Sequence, residues 1–158
     1  MTTARNAKHV SLLWATPEHA ADLATCHATL FPEPWDAASF ETMLADPGST
    51  AFAARHGNPQ ATVGFIVGRL VGDEAEIQTL GVVRDWQRHG VGRRLIEAFS
   101  RAVGKAEGKR VFLEVADNNV PALVLYSRLG FKESGRRKGY YQRSGQPSAD
   151  ALVLALAL

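Results

Sequence analysis

The sequence predicts an α/β fold, an α+β mixed sheet with helices on both faces, in the order β-α-α-β-β-β-α-β-α-β-β. Three observations predict it. The middle of the chain holds three adjacent strand-like runs with short links, STAFAARHG, ATVGFIVGRLVG and DEAEIQTLGVV, which form an antiparallel meander. After Val83 the pattern changes to helix, strand, helix, so the sheet must turn from antiparallel to parallel near the strand that ends there. The last stretch returns to strands, FKESGRRKGYY and SADALVLALAL. With 158 residues and 46% hydrophobic content the chain can bury a real core, so 1–158 reads as a single domain, with 1–9 polar and loose.

The elements follow in order. Val10–Ala15 is a short strand. Thr16 caps a helix with Pro17 at its first position, and the helix runs to about Leu30 with Ala20, Leu23, Ala24 and His27 on one face. FPEPWDAASF is a proline-punctuated turn. Its Trp35 either closes a pocket or pins the loop, and Asp36 caps a second helix to about Ala45. The meander turns at HGNPQ and at Gly72-Asp73. A loop, RDWQRHGVG, then feeds a helix from about Val91 to Ala106, and the strand RVFLEV follows. Asn119, with Pro121 in the first turn, opens a helix that ends near Gly130, and YYQRSGQPS loops between the last two strands.

Composition narrows the function. A net charge of +2 with 22% charged residues argues against a nucleic-acid binder. The basic residues cluster at 84–94 and 136–143, which suits one anionic ligand better than a long polyanion. The single cysteine, Cys26, excludes an internal disulfide framework or a thiolate cluster and reads as a small buried hydrophobe. His19 and His27 lack a third ligand at helical spacing, so no metal is expected. No signal-peptide pattern and no membrane-length apolar run is present, so a cytoplasmic protein without a membrane partner is expected.

The chemistry-bearing residues gather between Leu80 and Tyr126. Gly90 and Gly92 sit in a turn that opens a helix. Glycines let backbone N–H groups approach an anion, and the helix start adds unpaired donors and partial positive charge. Arg88, Arg93 and Arg94 add whole charges. The stretch reads as a grip on a phosphorylated carrier, or else as an ordinary αβ connection with a solvated rim. Ligands of such sheets bind where neighbouring strands part, beyond their carboxyl ends; here that lies between the strand ending near Val83 and the one ending near Val115. Glu114 is a carboxylate in an apolar strand. Half-burial there would raise its pKa toward a useful general base, unless it simply faces solvent on the face it shares with Phe112. Tyr126, two turns into the next helix, either packs or reaches the crevice as a proton donor. Asp117, Asn118 and Asn119 are three capping-type residues in a row; one cap is needed, and the excess is free to hold a ligand's amides.

On these residues the chain resembles the GCN5-related N-acetyltransferases. Gln87-Arg88-His89-Gly90-Val91-Gly92 is similar to that family's Q/R-x-x-G-x-G/A loop, and Leu113 to Phe131 is similar to its second half. Within the family the chain looks nearest to bacterial enzymes that acetylate the N-terminal alanine of ribosomal protein S18. The Phe-Pro-x-Pro-Trp turn, DEAEIQTLGV, LEV, ALVLYSRLGF and RRKGYY carry that likeness. The resemblance implies a GNAT-like fold, acetyl-CoA as cofactor and a protein N-terminus as partner, in a monomer or weak dimer. It implies that Arg88, His89, Gly90, Val91, Gly92 and Arg93, following Gln87, cradle the pyrophosphate. Leu80, Gly81 and Val82 would pair with the pantetheine arm, and Asn119 would contact it. Glu114 would be the base, through water, and Tyr126 the acid. Trp35, the loop before it, and Arg137, Tyr140 and Tyr141 of the RRKGYYQR segment would line the acceptor side, where Arg136, Arg137, Lys138 and Arg143 favour acidic residues after the acceptor's first. Rival readings are acetylation of another protein's N-terminus or of a small amine, and a non-catalytic acyl-CoA sensor. One departure is Arg84, where many members carry a proline.

Overall fold

The computed structural model describes residues 4–142 and 144–158; Arg143 lies outside the described residues. The elements are β1 (Ser11–Trp14), α1 (Ala20–Ala28), α2 (Ala37–Ala45), β2 (Ser49–His56), β3 (Ala61–Val71), β4 (Glu74–Val82), α3 (Val91–Lys105), β5 (Arg110–Ala116), α4 (Val120–Arg128), β6 (Lys132–Tyr141) and β7 (Ala149–Ala157). The expected element order holds. The sheet has seven strands in the order β1-β2-β3-β4-β5-β7-β6, so the last strand inserts between β5 and β6.

Period-two alternation in the strands divides the core between two faces. Ile66, Ile77, Val111, Leu113 and Val115 pack with Leu95, Ile96 and Phe99 of α3 and with Tyr126 of α4. Phe65, Val67, Ala51 and Ala53 pack with Leu23, Cys26, Phe40 and Leu44 of α1 and α2. Burial pushes the Cys26 thiol up to about 11, which suits a packing role.

The first helix differs from its expected form. Pro17–His19 make a 3-10 turn, and α1 starts at Ala20. The Thr16 N–H donates to His19 Nδ1 at 2.9 Å, so this histidine satisfies an orphan donor at the helix start. His27 is 2% exposed and accepts the Trp35 N–H on Nδ1 at 3.2 Å. It stacks on Phe31 at 4.1 Å and on Trp35 at 5.1 Å, which fastens the proline-rich turn to α1. The loose beginning expected for 1–9 is corrected at its second half. Ala7–His9 form a 3-10 turn with Ala7 buried, and Arg94 of α3 donates to the Ala7 and Val10 carbonyls. A part-buried guanidinium needs acceptors, and this segment supplies them.

The sheet reverses sense at β4, which runs antiparallel to β3 and parallel to β5. The parallel pairing is short: Glu74, Ala75 and Glu76 face Arg110, Val111 and Phe112, and it goes no further. On the other side of β4, Val67 faces Thr79 while Gly68 faces Ile77, which leaves Gln78 as an extra residue. Such a bulge bends its strand and increases its twist. β4 therefore turns away from β5 at the point where their pairing stops. Gly68 stands opposite the bulge, and a methyl group there would overlap the Glu76 carbonyl oxygen and the Phe99 ring.

Gly68→Ala should lower stability by about 1–3 kcal/mol, the range for overpacking. Gly104→Ala, in α3 with nothing within 4 Å of the new methyl, should raise it by up to about 1 kcal/mol. Urea unfolding of both variants checks the pair. A second expectation concerns His27, whose pKa desolvation by burial lowers from the ordinary 6.5. Between its folded and unfolded values the unfolded chain binds the extra proton, so the contribution is full above pH 6.5 and is lost as pH falls below it. Thermal unfolding from pH 7 to pH 5 should show a smaller loss for His27→Phe than for wild type.

Candidate active site

A cleft of about 710 Å³ opens where β4 and β5 diverge. One wall is β4 from Ile77 to Leu80; the other is β5 from Leu113 to Ala116, continued by Asn118, Asn119 and Tyr126. His27, Phe31, Glu33 and Trp35 close one end, and Tyr141, Gln146 and Pro147 approach from the β6–β7 connection.

Past the cleft wall β4 ends at Val82 and runs into the loop from Val83 to Gly90. Arg84–Trp86 form a 3-10 turn, so the loop holds its shape without the absent proline. Trp86 anchors it: the ring is buried and lies 4.6 Å from that of His56. Gln87 Nε2 donates to the Val82 carbonyl at 2.9 Å and ties the loop to the strand end. The backbone is left-handed at Arg88 (φ 63) and at Gly90 (φ 87), the residue that precedes α3. Among the described residues, the N–H groups of Arg88, His89 and Gly90 have no backbone acceptor. Those of Val91, Gly92 and Arg93 are the open donors of the first helical turn. Backbone that changes hand in this way can line successive N–H groups into an anion-binding concavity. The donor set therefore fits a diphosphate. The flanking charges are less available than expected. Arg94 points to the N-terminal segment, and Arg93 Nε pairs with Glu97 at 2.8 Å.

Glu114 lines the cleft, on the face of β5 opposite Leu113 and Val115. Its side chain is 28% exposed, the half-buried placement expected from sequence. Arg137 Nη2 lies 2.9 Å from Glu114 Oε1. Tyr126 lines the cleft from α4 and is 9% exposed, with its ring 5.7 Å from that of Phe131. Burial pushes its hydroxyl up to about 12.

The remaining candidates divide. Leu80, Asn119, Trp35 and Tyr141 line the cleft together with Glu114 and Tyr126. Gly81 faces Leu30 and Phe65, where a methyl would come within 2.8 Å of each, so packing explains this glycine. Asn119 Oδ1 caps α4 at Ala122 N, 3.4 Å away. Asp117 is structural: its carboxylate accepts the Asp150 N–H at 3.3 Å and meets Arg136 at 3.4 Å. Tyr140 is 54% exposed and lies outside the cleft, with the Arg137 guanidinium 5.1 Å from its ring. The expected free basic run is also corrected. Arg136 is bound to Asp150 at 2.6 Å and to Asp117 and Glu133 at 3.4 Å, and Arg137 is bound to Glu114. Sequence reasoning missed Gln78, Thr79 and His27 as cleft residues, while Phe31 and Glu33 lie in the loop before Trp35 that it placed on the acceptor side. The aromatic spacing of Phe31 and Trp35 was legible; the bulge at Gln78 had no sequence mark. Among the described residues no three His, Cys, Asp or Glu side chains gather as a metal site, and no helix is long and apolar enough to cross a membrane.

The N-alpha-acetyltransferase RimI of Mycobacterium tuberculosis is 37% identical over 143 residues, covering 85% of each chain. The [ribosomal protein bS18]-alanine N-acetyltransferase of Salmonella typhimurium is 30% identical over 149 residues, covering 94% of this chain and 97% of the relative. The crystal structure of the ribosomal-protein-S18-alanine N-acetyltransferase from Escherichia coli superposes with a TM-score of 0.85 at 25% identity, over 94% of this chain and 93% of that one. The model of the acetyltransferase (GNAT) family matches residues 20–131, the span that carries both walls of the cleft, and the chain belongs to that family.

Proposed function

We propose that the chain moves an acetyl group from acetyl-CoA to the α-amine of a protein N-terminus, with the N-terminal alanine of ribosomal protein S18 as the leading acceptor. One observation carries the reading: Glu114 and Tyr126 line a cleft whose other wall, β4, runs on through Val82 and the 83–90 loop to the open amides at the start of α3. The activities named for the mycobacterial and Salmonella relatives support the choice of acceptor class.

Acetyl-CoA supplies the activated acetyl group. The amides of Arg88–Arg93 would hold its diphosphate, and the unpaired edge of β4 beyond the bulge would hold its arm. Val82 offers less to that arm than the sequence suggested, because its carbonyl already accepts from Gln87. Asn119 stands at the cleft wall to meet the same arm. An N-terminal amine, with a reference pKa near 8, is about one-tenth neutral at pH 7, a few hundredfold more than a lysine near 10.4. Glu114 therefore needs only modest basicity, acting directly or through water in the half-open cleft. Tyr126 faces the opposite demand. Burial keeps its hydroxyl protonated at neutral pH and makes full loss of that proton costly. It serves best by donating a hydrogen bond to the leaving sulfur, with transfer coupled to the proton the amine gives up. Holding both reactants in one cleft supplies much of the remaining acceleration.

Glu114→Gln and Tyr126→Phe should each lower kcat by about 10²–10⁴-fold, the usual worth of a positioned acid or base. Calorimetric affinity for CoA should persist in both. Unchanged turnover in Glu114→Gln would remove Glu114 as the base. Tyr126 has a pKa near 12, so the wild-type rate should show no tyrosine ionisation between pH 7 and pH 10. For the acceptor, a short peptide beginning with alanine should be acetylated far faster than the same peptide with a blocked N-terminus and a free lysine. Mass spectrometry locates the added acetyl, and a preference for lysine would overturn the assignment.

A further inference from the structure

The 2.9 Å pair between Arg137 and Glu114 joins a residue of β6 to one of β5, across the intervening strand β7. Glu114 faces Val153 of β7, and Arg137 faces Ala151 of the same strand, so the guanidinium reaches diagonally over β7 to the carboxylate. The two partners are unequally held. Glu114 is fixed in a central strand and is 28% exposed; Arg137 is 56% exposed on an edge strand. Its neighbour Arg136 is locked by Asp150, Asp117 and Glu133. Beyond Arg137 the register of β6 against β7 is interrupted until Tyr141, and Asp150 secures this segment by accepting the Gly139 N–H at 2.8 Å. The backbone around Arg137 is thus anchored, while its side chain is free to swing. The same guanidinium, while paired with Glu114, lies 5.1 Å from the ring of Tyr140, whose π face attracts it from the solvent side of the cleft lining.

The lining of the cleft contains two carboxylates, Glu33 and Glu114, and no lysine or arginine among the described residues. Its one imidazole, His27, is held toward the neutral form by burial. A carboxylate beside an apolar wall favours a cation partner. In the free protein that partner is Arg137.

We infer that Arg137 is a placeholder for the acceptor: its guanidinium occupies the position beside Glu114 that the incoming N-terminal ammonium takes, and it withdraws into solvent as the acceptor enters. This rests on the reading of Glu114 as the carboxylate that receives the acceptor amine. The exchange keeps one cation beside Glu114 throughout, so neither charge is stranded. A half-exposed pair of this kind is weak enough to be displaced by a substrate. Arg137 is then a positioning residue that competes with the acceptor, the reverse of a residue that grips it.

The two roles predict opposite signs. Arg137→Gln removes the competitor, so KM for an alanine-terminated peptide should fall about two- to fivefold, the fold-change that corresponds to an exposed ion pair. Arg137→Lys keeps a cation in reach and should hold KM near the wild-type value. A rise in KM for Arg137→Gln would show that Arg137 binds the acceptor and would overturn the inference. An unchanged KM with reduced kcat in both variants would assign Arg137 to the architecture of the β6–β7 pair and would overturn it too. Glu114→Gln, assayed beside them, separates the two layers of the argument. Full turnover in that variant removes the underlying reading of Glu114. Lost turnover in Glu114→Gln together with a raised KM in Arg137→Gln removes the placeholder alone.

Discussion

The parting of β4 from β5 after three residue pairs is the constraint on which the site depends. Two parallel strands in register would satisfy each other's N–H and C=O groups along their whole length. Here Gln78 interrupts β4, the strand bends, and the edge beyond Glu76 has no strand partner on the β5 side. An unpaired edge inside a protein is costly unless something pairs with it. The same separation opens the volume beside that edge. Backbone pairing capacity and space for a ligand thus share one cause, and Gly68 permits it by leaving room opposite the bend for the Glu76 carbonyl and the Phe99 ring.

Charge in the cleft is governed by internal pairing more than by composition. The run from Arg136 to Lys138 suggests a basic surface when it is read as letters. In the fold, Asp150 and Asp117 take Arg136, and Glu114 takes Arg137. Hydrogen bonds from Gly139 and then Arg136 hold the Asp150 carboxyl below its ordinary range. The two arginines of the segment therefore present little free positive charge to a substrate, and the cleft it borders is lined by Glu33 and Glu114. An acceptor bearing a cationic terminus meets carboxylates there.

Much of this was legible from sequence because it rests on local rules. The meander, the change of strand sense at β4, and the caps at Asp36 and Asn119 follow from periodicity and from short polar side chains ahead of apolar runs. Pairs distant in sequence were not legible. Nothing near Arg94 announces that it turns to the carbonyls of Ala7 and Val10, and nothing near Asp117 announces Asp150. The bulge at Gln78 was hidden for another reason. Buried residues still alternate through Ala75, Ile77, Thr79 and Gly81, so the extra residue leaves no break in the pattern. His27 was legible as a face-forming residue of α1, but its seat beside Phe31 and Trp35 depends on a turn whose path only the fold defines.

On the proposed reading, the two proton-handling groups are placed asymmetrically, and the asymmetry suits direct transfer. Glu114 is half-open, so a proton taken from the amine has a route to water. Tyr126 is buried against Phe131 with its hydroxyl pushed up to about 12, so its proton stays local and is offered only where negative charge gathers. A covalent relay would need a nucleophile in the cleft. The one cysteine is packed with Leu23 and Phe40 between the α1–α2 layer and the sheet, and burial holds its thiol near 11. A thiol so held is almost wholly protonated at pH 7 and is a poor nucleophile. On that reading the chain sets a half-open base and a closed acid on one wall of the split in the sheet, facing the β4 edge, which is what a single attack of amine on acyl carbon requires of the protein.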